Sequence, residues 1–178
     1  MNICWVLAEH AVIPITVTAI TLKSVAPIWS SWRNVRSFDV DNAICYDAAQ
    51  ASKLILNDYH TVCNLYVPQT TQQQYQTLPL NAFGGSFDFD IVSKDDIVGL
   101  HLASSQGQVV LLLGFDLNTA ADSRAKDYIE LIYQTINGYP QTQYVIIDQP
   151  NNVDKKLLGL ANLTCDNLSN VLTLLGGH

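Results

Sequence analysis

No GxxxxGK[ST] loop occurs in this 178-residue chain, which excludes the phosphate cradle of an ordinary P-loop nucleotidase. No GxGxxG follows the first apolar run and no GxSxG elbow appears, so ordinary dinucleotide binding and hydrolase chemistry of that type are excluded as well. Cations are scarce. Nine Lys+Arg stand against 16 Asp+Glu, for a formal net charge of -7. A general nucleic-acid binder needs clustered cations to displace phosphate counterions, so no nucleic acid is expected as a partner. No CxxC pair is present. Cys4, Cys45, Cys63 and Cys165 are far apart, without zinc-site spacing, and three of them sit in short apolar runs. A free Cys in such a run behaves as a small buried hydrophobe. The expectation is four reduced thiols, no metal, and a reducing, cytoplasmic compartment. A long apolar run is also missing. Ile3 to Leu22 comes closest, but Glu9, His10 and Pro14 interrupt it and no basic segment precedes it. It is read as a buried strand and a second element, with no membrane association expected.

What the chain does have is core material, 48% hydrophobic, and a recurring unit of apolar run, polar end and helical pattern. Five runs stand out: Cys4–Ala8 before Glu9 and His10, Ala43–Tyr46 before Asp47, Val62–Val67 before Pro68, Val109–Phe115 before Asp116, and Tyr144–Ile147 before Asp148. A sixth short piece, Leu163–Cys165, ends at Asp166. Near-continuous apolar runs suit strands covered on both faces, as in parallel sheets. Between them lie helical patterns with end signals. Ser93 with Asp96 and Thr119 with Asp122 read as capping boxes, and Asp47 and Asp166 as caps of further helices. The predicted fold is α/β: one domain, a Rossmann-like three-layer sandwich with a mostly parallel sheet of about five strands. Residues 11–42 and 69–92 fit this alternation less well and read as long insertions of the kind that carry function.

In open α/β sheets ligands bind outside the carboxyl ends of the strands. A parallel arrangement therefore gathers Glu9, His10, Asp47, Asp116 and Asp148 onto one rim. Carboxylates beside a histidine could hold a divalent cation, exchange protons or receive sugar hydroxyls, and Asp47 could equally be an ordinary helix cap. His10 is the candidate for proton transfer, because imidazole titrates near neutral pH. Asp116 is its catalytic companion, because it ends the most apolar strand. Trp29, Trp32, Arg33 and Arg36 crowd one segment. Aromatic faces beside guanidinium groups could stack a base, with Arg33 or Arg36 gripping phosphate. The same pattern also suits Trp packing on the core with Arg in solvent. His101 lies inside an apolar helical pattern and reads as a packed, hydrogen-bonded residue.

The segment DIVGLHLASSQGQVVLLLGFDL, Asp96 to Leu117, is similar to a stretch in Rossmann-like transferases of the bacterial sialyltransferase-like and hydroxymethylpterin pyrophosphokinase-like groups. Those families open with a glycine-rich turn where this chain has Ala8-Glu9-His10-Ala11. Only Gly114 and Asp116 match, as a ligand-contacting and a catalytic position. The chain also resembles small proteins of tailed phages, particularly of marine bacteria, through Ala26–Arg33, Asp41–Asp47 and the LLLGFDL strand. That resemblance implies a bacterial host cytoplasm and no particular activity. Two expectations follow. One is a transferase-like protein binding a nucleotide or nucleotide sugar on the rim. The other is a non-catalytic α/β module that acts through a protein partner or as a homo-oligomer. No cofactor is assigned. Convergence of His10, Asp47 and Asp116 in one pocket favours the first, and a flat apolar patch around residues 70–90 the second.

Overall fold

The structure is a computed structural model, and it describes residues 2–9, 11, 19–84, 94–118 and 123–176. Eight strands form one sheet: β1 (Ile3–Leu7), β2 (Ile28–Ser31), β3 (Asn42–Ile44), β4 (Asn64–Pro68), β5 (Asn81–Phe83), β6 (Val109–Leu113), β7 (Gln143–Ile147) and β8 (Leu163–Asp166). Their order is β5-β4-β3-β2-β1-β6-β7-β8 and every pairing is parallel. The helices are α1 (Ala19–Val25), α2 (Ala48–Leu56), α3 (Gln69–Gln74), α4 (Lys94–Gln106), α5 (Ser123–Gly138), α6 (Lys155–Leu158) and α7 (Leu168–Leu174).

Alternation along the strands builds two cores. Cys4 and Val6 of β1, with Val110 and Leu112 of β6, face α4, α5 and α6 through Ile97, Leu100, Ile132 and Leu157. Trp5, Leu7, Leu111 and Leu113 face the other way, into the core that includes Leu22 of α1, Leu54 of α2 and Leu172 of α7. This is the expected three-layer α/β sandwich, and β6 is buried on both faces, with Leu111 and Leu112 at 2% and 1% exposure.

The strand count departs from expectation, eight rather than about five. The sixth short piece is β8, and the two strands not anticipated, β2 and β5, lie in the segments that fitted least well. β2 reads Ile-Trp-Ser-Ser and all four residues are buried. Its hydroxyls can be buried because they are bonded: Ser30 Oγ donates to the Leu7 carbonyl at 3.1 Å and Ser31 Oγ to Asp95 Oδ2 at 2.8 Å. β5 is only three residues long, at the sheet edge.

Helix ends were legible where the partner is close in sequence. Asp47 caps α2 through the Ala49 and Gln50 amides. The cap of α7 is Asn167, whose Oδ1 accepts from the Asn170 amide, and not Asp166, which is the last residue of β8. The expected caps at Ser93, Thr119 and Asp122 lie outside the described residues. Asp96, the expected partner of Ser93, spends its carboxylate elsewhere, on the Glu9 amide and the Tyr128 hydroxyl. His101 of α4 is hydrogen-bonded as expected, to the Tyr139 hydroxyl at 3.0 Å from Nδ1. Among the described residues no helix is long and apolar enough to cross a membrane.

β1 to β5 run outward on one side and β6 to β8 on the other, so the strand order reverses between β1 and β6. α4 makes the crossover. It packs across β1, β2 and β3 and delivers its first turn to their carboxyl ends.

Candidate functional site

The first turn of α4 carries two adjacent acids, Asp95 and Asp96, and both are buried, at 7% and 3% exposure. Asp95 Oδ1 accepts the Tyr46 amide at 2.9 Å, just beyond β3, while its Oδ2 takes the Ser31 hydroxyl at the end of β2. Asp96 Oδ1 accepts the Glu9 amide at 2.8 Å, past β1, and its Oδ2 the Tyr128 hydroxyl of α5 at 3.1 Å. Two carboxylates thus tie together the ends of three strands and two helices. Burial pushes the Asp95 carboxyl up to about 6 and that of Asp96 to about 8, against the opposing pull of the bonds each accepts.

A second set of bonds places the cations. Asn34 donates to the Ala8 carbonyl at 2.9 Å and to Ser30 Oγ at 2.8 Å. These bonds pin the 3-10 turn Trp32–Arg36 against the end of β1. Arg33 Nε then reaches Glu9 Oε1 at 2.7 Å. The Glu9 side chain is only 7% exposed, whereas that of Arg33 is 53% exposed and lies beside the Trp32 ring, 5.6 Å from its centroid. Lys94 stands over Tyr46, its Nζ 5.3 Å from the ring centroid.

These groups surround a cavity of about 440 Å³ at the carboxyl ends of β1, β2 and β3. Its walls come from Glu9 after β1, Trp32 and Arg33 after β2, Tyr46, Asp47 and Gln50 after β3, and Lys94 and Asp95 of α4. A neighbouring cavity of about 310 Å³, toward β4 and β5, shares the Tyr46 wall and is otherwise lined by Pro68, Gln69, Thr70, Phe83 and Gly84. The Tyr46 and Phe83 rings stack at 6.1 Å between centroids.

Of the residues nominated from the sequence, Glu9, Arg33 and Asp47 come together here. Trp32 joins them, whereas Arg36, Gly114, Asp116 and Asp148 are not in the lining. Arg36 is exposed at the far end of the 3-10 turn. Asp116 is exposed, with its carboxylate accepting the Asn118 amide at 3.4 Å in a local turn. Asp148 Oδ1 accepts the Gln149 amide and the Asn152 side chain. Gly114 serves the fold. It has φ +80°, and a Cβ there would lie 2.4 Å from the Ala11 backbone, so only glycine lets the chain leaving β6 pass the chain leaving β1. His10 lies outside the described residues. Trp29 is a core residue, packed on Tyr66 at 4.8 Å.

Tyr46, Gln50, Lys94 and Asp95 were not nominated. For Asp95 a signal existed. The helix it opens continues Ile97, Val98, Gly99, Leu100, apolar around its whole circumference, and a helix of that kind is enclosed on all sides.

Among the described residues no group of three His, Cys, Asp or Glu is placed to hold a metal ion. All four cysteines are free, and burial raises the Cys4 thiol to about 12 and Cys63 to about 11, which makes them poor nucleophiles. No family model, curated protein or solved structure matches the chain.

Proposed function

We propose that the chain binds a nucleotide or nucleotide sugar in the cavity over β1, β2 and β3, with the sugar hydroxyls and a planar ring making the main contacts. One observation carries this reading: two aromatic side chains, Trp32 and Tyr46, line a carboxyl-edge cavity together with Glu9, Asp47, Asp95 and Gln50. Aromatic faces suit a base or a sugar face, and carboxylates and an amide suit vicinal hydroxyls. The position agrees with the general habit of open α/β sheets, at the edge next to the strand-order reversal. Stretch 69–84 exposes no large hydrophobic residue, so the described part of the alternative patch near 70–90 gives no support to a protein-docking face there.

The support is for binding more than for transfer chemistry. Glu9 is ion-paired and both Asp95 oxygens are occupied, so these groups hold the site rather than shuttle protons. The transferase-like reading keeps its proton-transfer residue only in His10.

Calorimetric titration of a panel of nucleosides, nucleotides and nucleotide sugars tests the proposal. At least one should bind more tightly than about 1 mM, and Asp47→Ser, which keeps a helix cap while removing the charge, should weaken it roughly tenfold. Asp148→Asn should leave affinity unchanged. A panel without a binder, or equal losses in both variants, overturns the reading.

The non-catalytic module retains one favourable observation, an apolar groove of about 340 Å³ between the sheet and α7, lined by Leu111, Val145, Val171 and Leu175, with Leu174 79% exposed beside it. Sedimentation of the chain and of Leu174→Glu tests it. Self-association abolished by the variant supports that reading, and a monomer in both cases ends it.

A further inference from the structure

A separate cavity of about 470 Å³ opens at the amino ends of β1, β2 and β3, the opposite edge of the sheet from the site above. Ile3, Cys4, Val25 and Pro27 give it an apolar wall, and Gln106 and Gly107 bring in the carboxyl end of α4. Two more lining residues, Trp29 and Asn42, stand opposite each other in the pairing of β2 with β3. Both are nearly enclosed, at 3% and 7% exposure. Asn42 Oδ1 accepts the Asn64 side-chain amide at 3.0 Å, which leaves its Nδ2 as the free end. Among the described residues nothing accepts from Asn42 Nδ2 or from the Trp29 indole N–H. The fully enclosed polar side-chain atoms without a partner, among the described residues, are His60 Nδ1, Thr71 Oγ1 and the Tyr144 hydroxyl. The two donors are therefore not sealed in, and they open onto the cavity that their residues line.

We propose that this cavity binds a small uncharged molecule with a carbonyl beside an N–H, a lactam or a planar heterocyclic amide. Buried donors in a folded chain are paired as a rule, so two unused ones on neighbouring strands call for an acceptor from outside. Neighbouring strands lie about 4.8 Å apart, so one small molecule spans both residues. A carbonyl oxygen has two lone pairs and takes both bonds. The adjacent N–H then meets the carboxyl end of α4, where the last carbonyls of a helix lack intrahelical partners. That end carries a partial negative charge, which favours a donor and repels a carboxylate or a phosphate. The body of the ligand covers the apolar wall. This site is independent of the one at the carboxyl edge, and either can exist without the other.

The test is a titration of the ¹⁵N-labelled full chain, followed by NMR. Three tryptophans give three indole cross-peaks, assigned by sequential connectivity. The probes are 2-pyrrolidinone and 2-pyridone, with fluorobenzene as a ring without a carbonyl and benzoate as an anion. Both lactams should move the Trp29 indole peak and the Asn42 side-chain amide peaks to saturation, with Kd below about 10 mM, as suits ligands of so few atoms. The Trp5 indole, which donates to the Leu22 carbonyl at 3.1 Å, should stay in place. Fluorobenzene and benzoate should bind at least about tenfold more weakly. Asn42→Asp keeps an acceptor for Asn64 and removes the donor, so it should weaken the lactams about tenfold or more, with circular dichroism confirming an intact fold. A Trp29 peak that neither lactam moves overturns the proposal. So does benzoate or fluorobenzene binding as tightly as the lactams, or a lactam affinity unchanged in Asn42→Asp. The comparison of probes uses the native chain, so it decides the matter even where the variant fails to fold.

Discussion

The carboxyl edge of the sheet has two halves that use acids in opposite ways. Beyond β7 and β8, Asp148 and Asp166 repeat one motif. Each accepts the amide of the next residue and the side-chain amide of an asparagine four positions on, Asn152 in one case and Asn170 in the other. Beyond β1 to β3, every partner of the α4 acids is remote: Tyr46 is 49 residues from Asp95, Ser31 is 64 residues from it, and Glu9 is 87 residues from Asp96. Asp148 and Asp166, satisfied within four residues, complete local turns. A carboxylate satisfied across the fold fixes several strand ends against one another, and a cavity with defined walls follows from that.

The largest expected effect lies at the seam between the halves. Gly114→Val places a branched side chain at φ +80° against the Ala11 backbone and should cost about 4 kcal/mol in urea unfolding, combining left-handed strain with overpacking. A loss below about 1 kcal/mol would mean that the chain after β1 moves freely and the two halves are not locked there. Next, Asp95→Ala strands the Ser31 hydroxyl and the Tyr46 amide and should cost about 3 kcal/mol, since each buried donor left without a partner is worth about 1–3 kcal/mol. Equal costs for Asp95→Ala and Asp148→Ala would erase the distinction drawn here.

The third expectation is a pH slope. Asp95 and Asp96 have native values raised to about 6 and about 8 from 3.8. Between those limits the native state binds protons that the unfolded chain has released, so stability falls as pH rises. This contribution is complete below about pH 4 and is lost as the pH passes about 6 and then about 8. Thermal melts from pH 5 to 9 should show a decline, and Asp96→Asn should flatten its upper part. An unchanged slope in that variant would place the titrating group elsewhere. The smallest effects belong to the far half, where Asp148→Ala and Asp166→Ala should each cost about 1 kcal/mol or less, as for other turn and cap residues.

The contrast between the halves also explains what was legible in the sequence. β1, β4, β6 and β7 show as apolar runs because both of their faces are covered. β2 does not, because Ser30 and Ser31 are polar until their partners Leu7 and Asp95 are known. β5 is too short, at three residues, to carry a pattern. Glu9 and Asp47 could be nominated by the strand-end rule, and Arg33 by the aromatic rings crowded beside it, one residue at a time. Their grouping, and the part played by Tyr46 and Lys94, depend on where the crossover helix lands, and local spacing does not encode that. Asp116 was given prominence by the same rule. The strand it follows is deeply buried, but the two-residue step through Gly114 and Phe115 carries the carboxylate into solvent.

The pairing of β1 with β6, Ile3 opposite Val109 through Leu7 opposite Leu113, also constrains how the chain emerges from a ribosome. β1 is made well before β6, and one of its two hydrogen-bonding edges stays vacant until Val109–Leu113 have been synthesised. At about 5–20 residues per second that interval lasts several seconds. During it Cys4-Trp5-Val6-Leu7 can pair with any other apolar strand, including the same strand of a second nascent chain. Slow, non-local closure of this kind makes refolding yield fall with protein concentration. Escape from aggregation then depends on how soon β6 arrives, rather than on the final stability of the sheet.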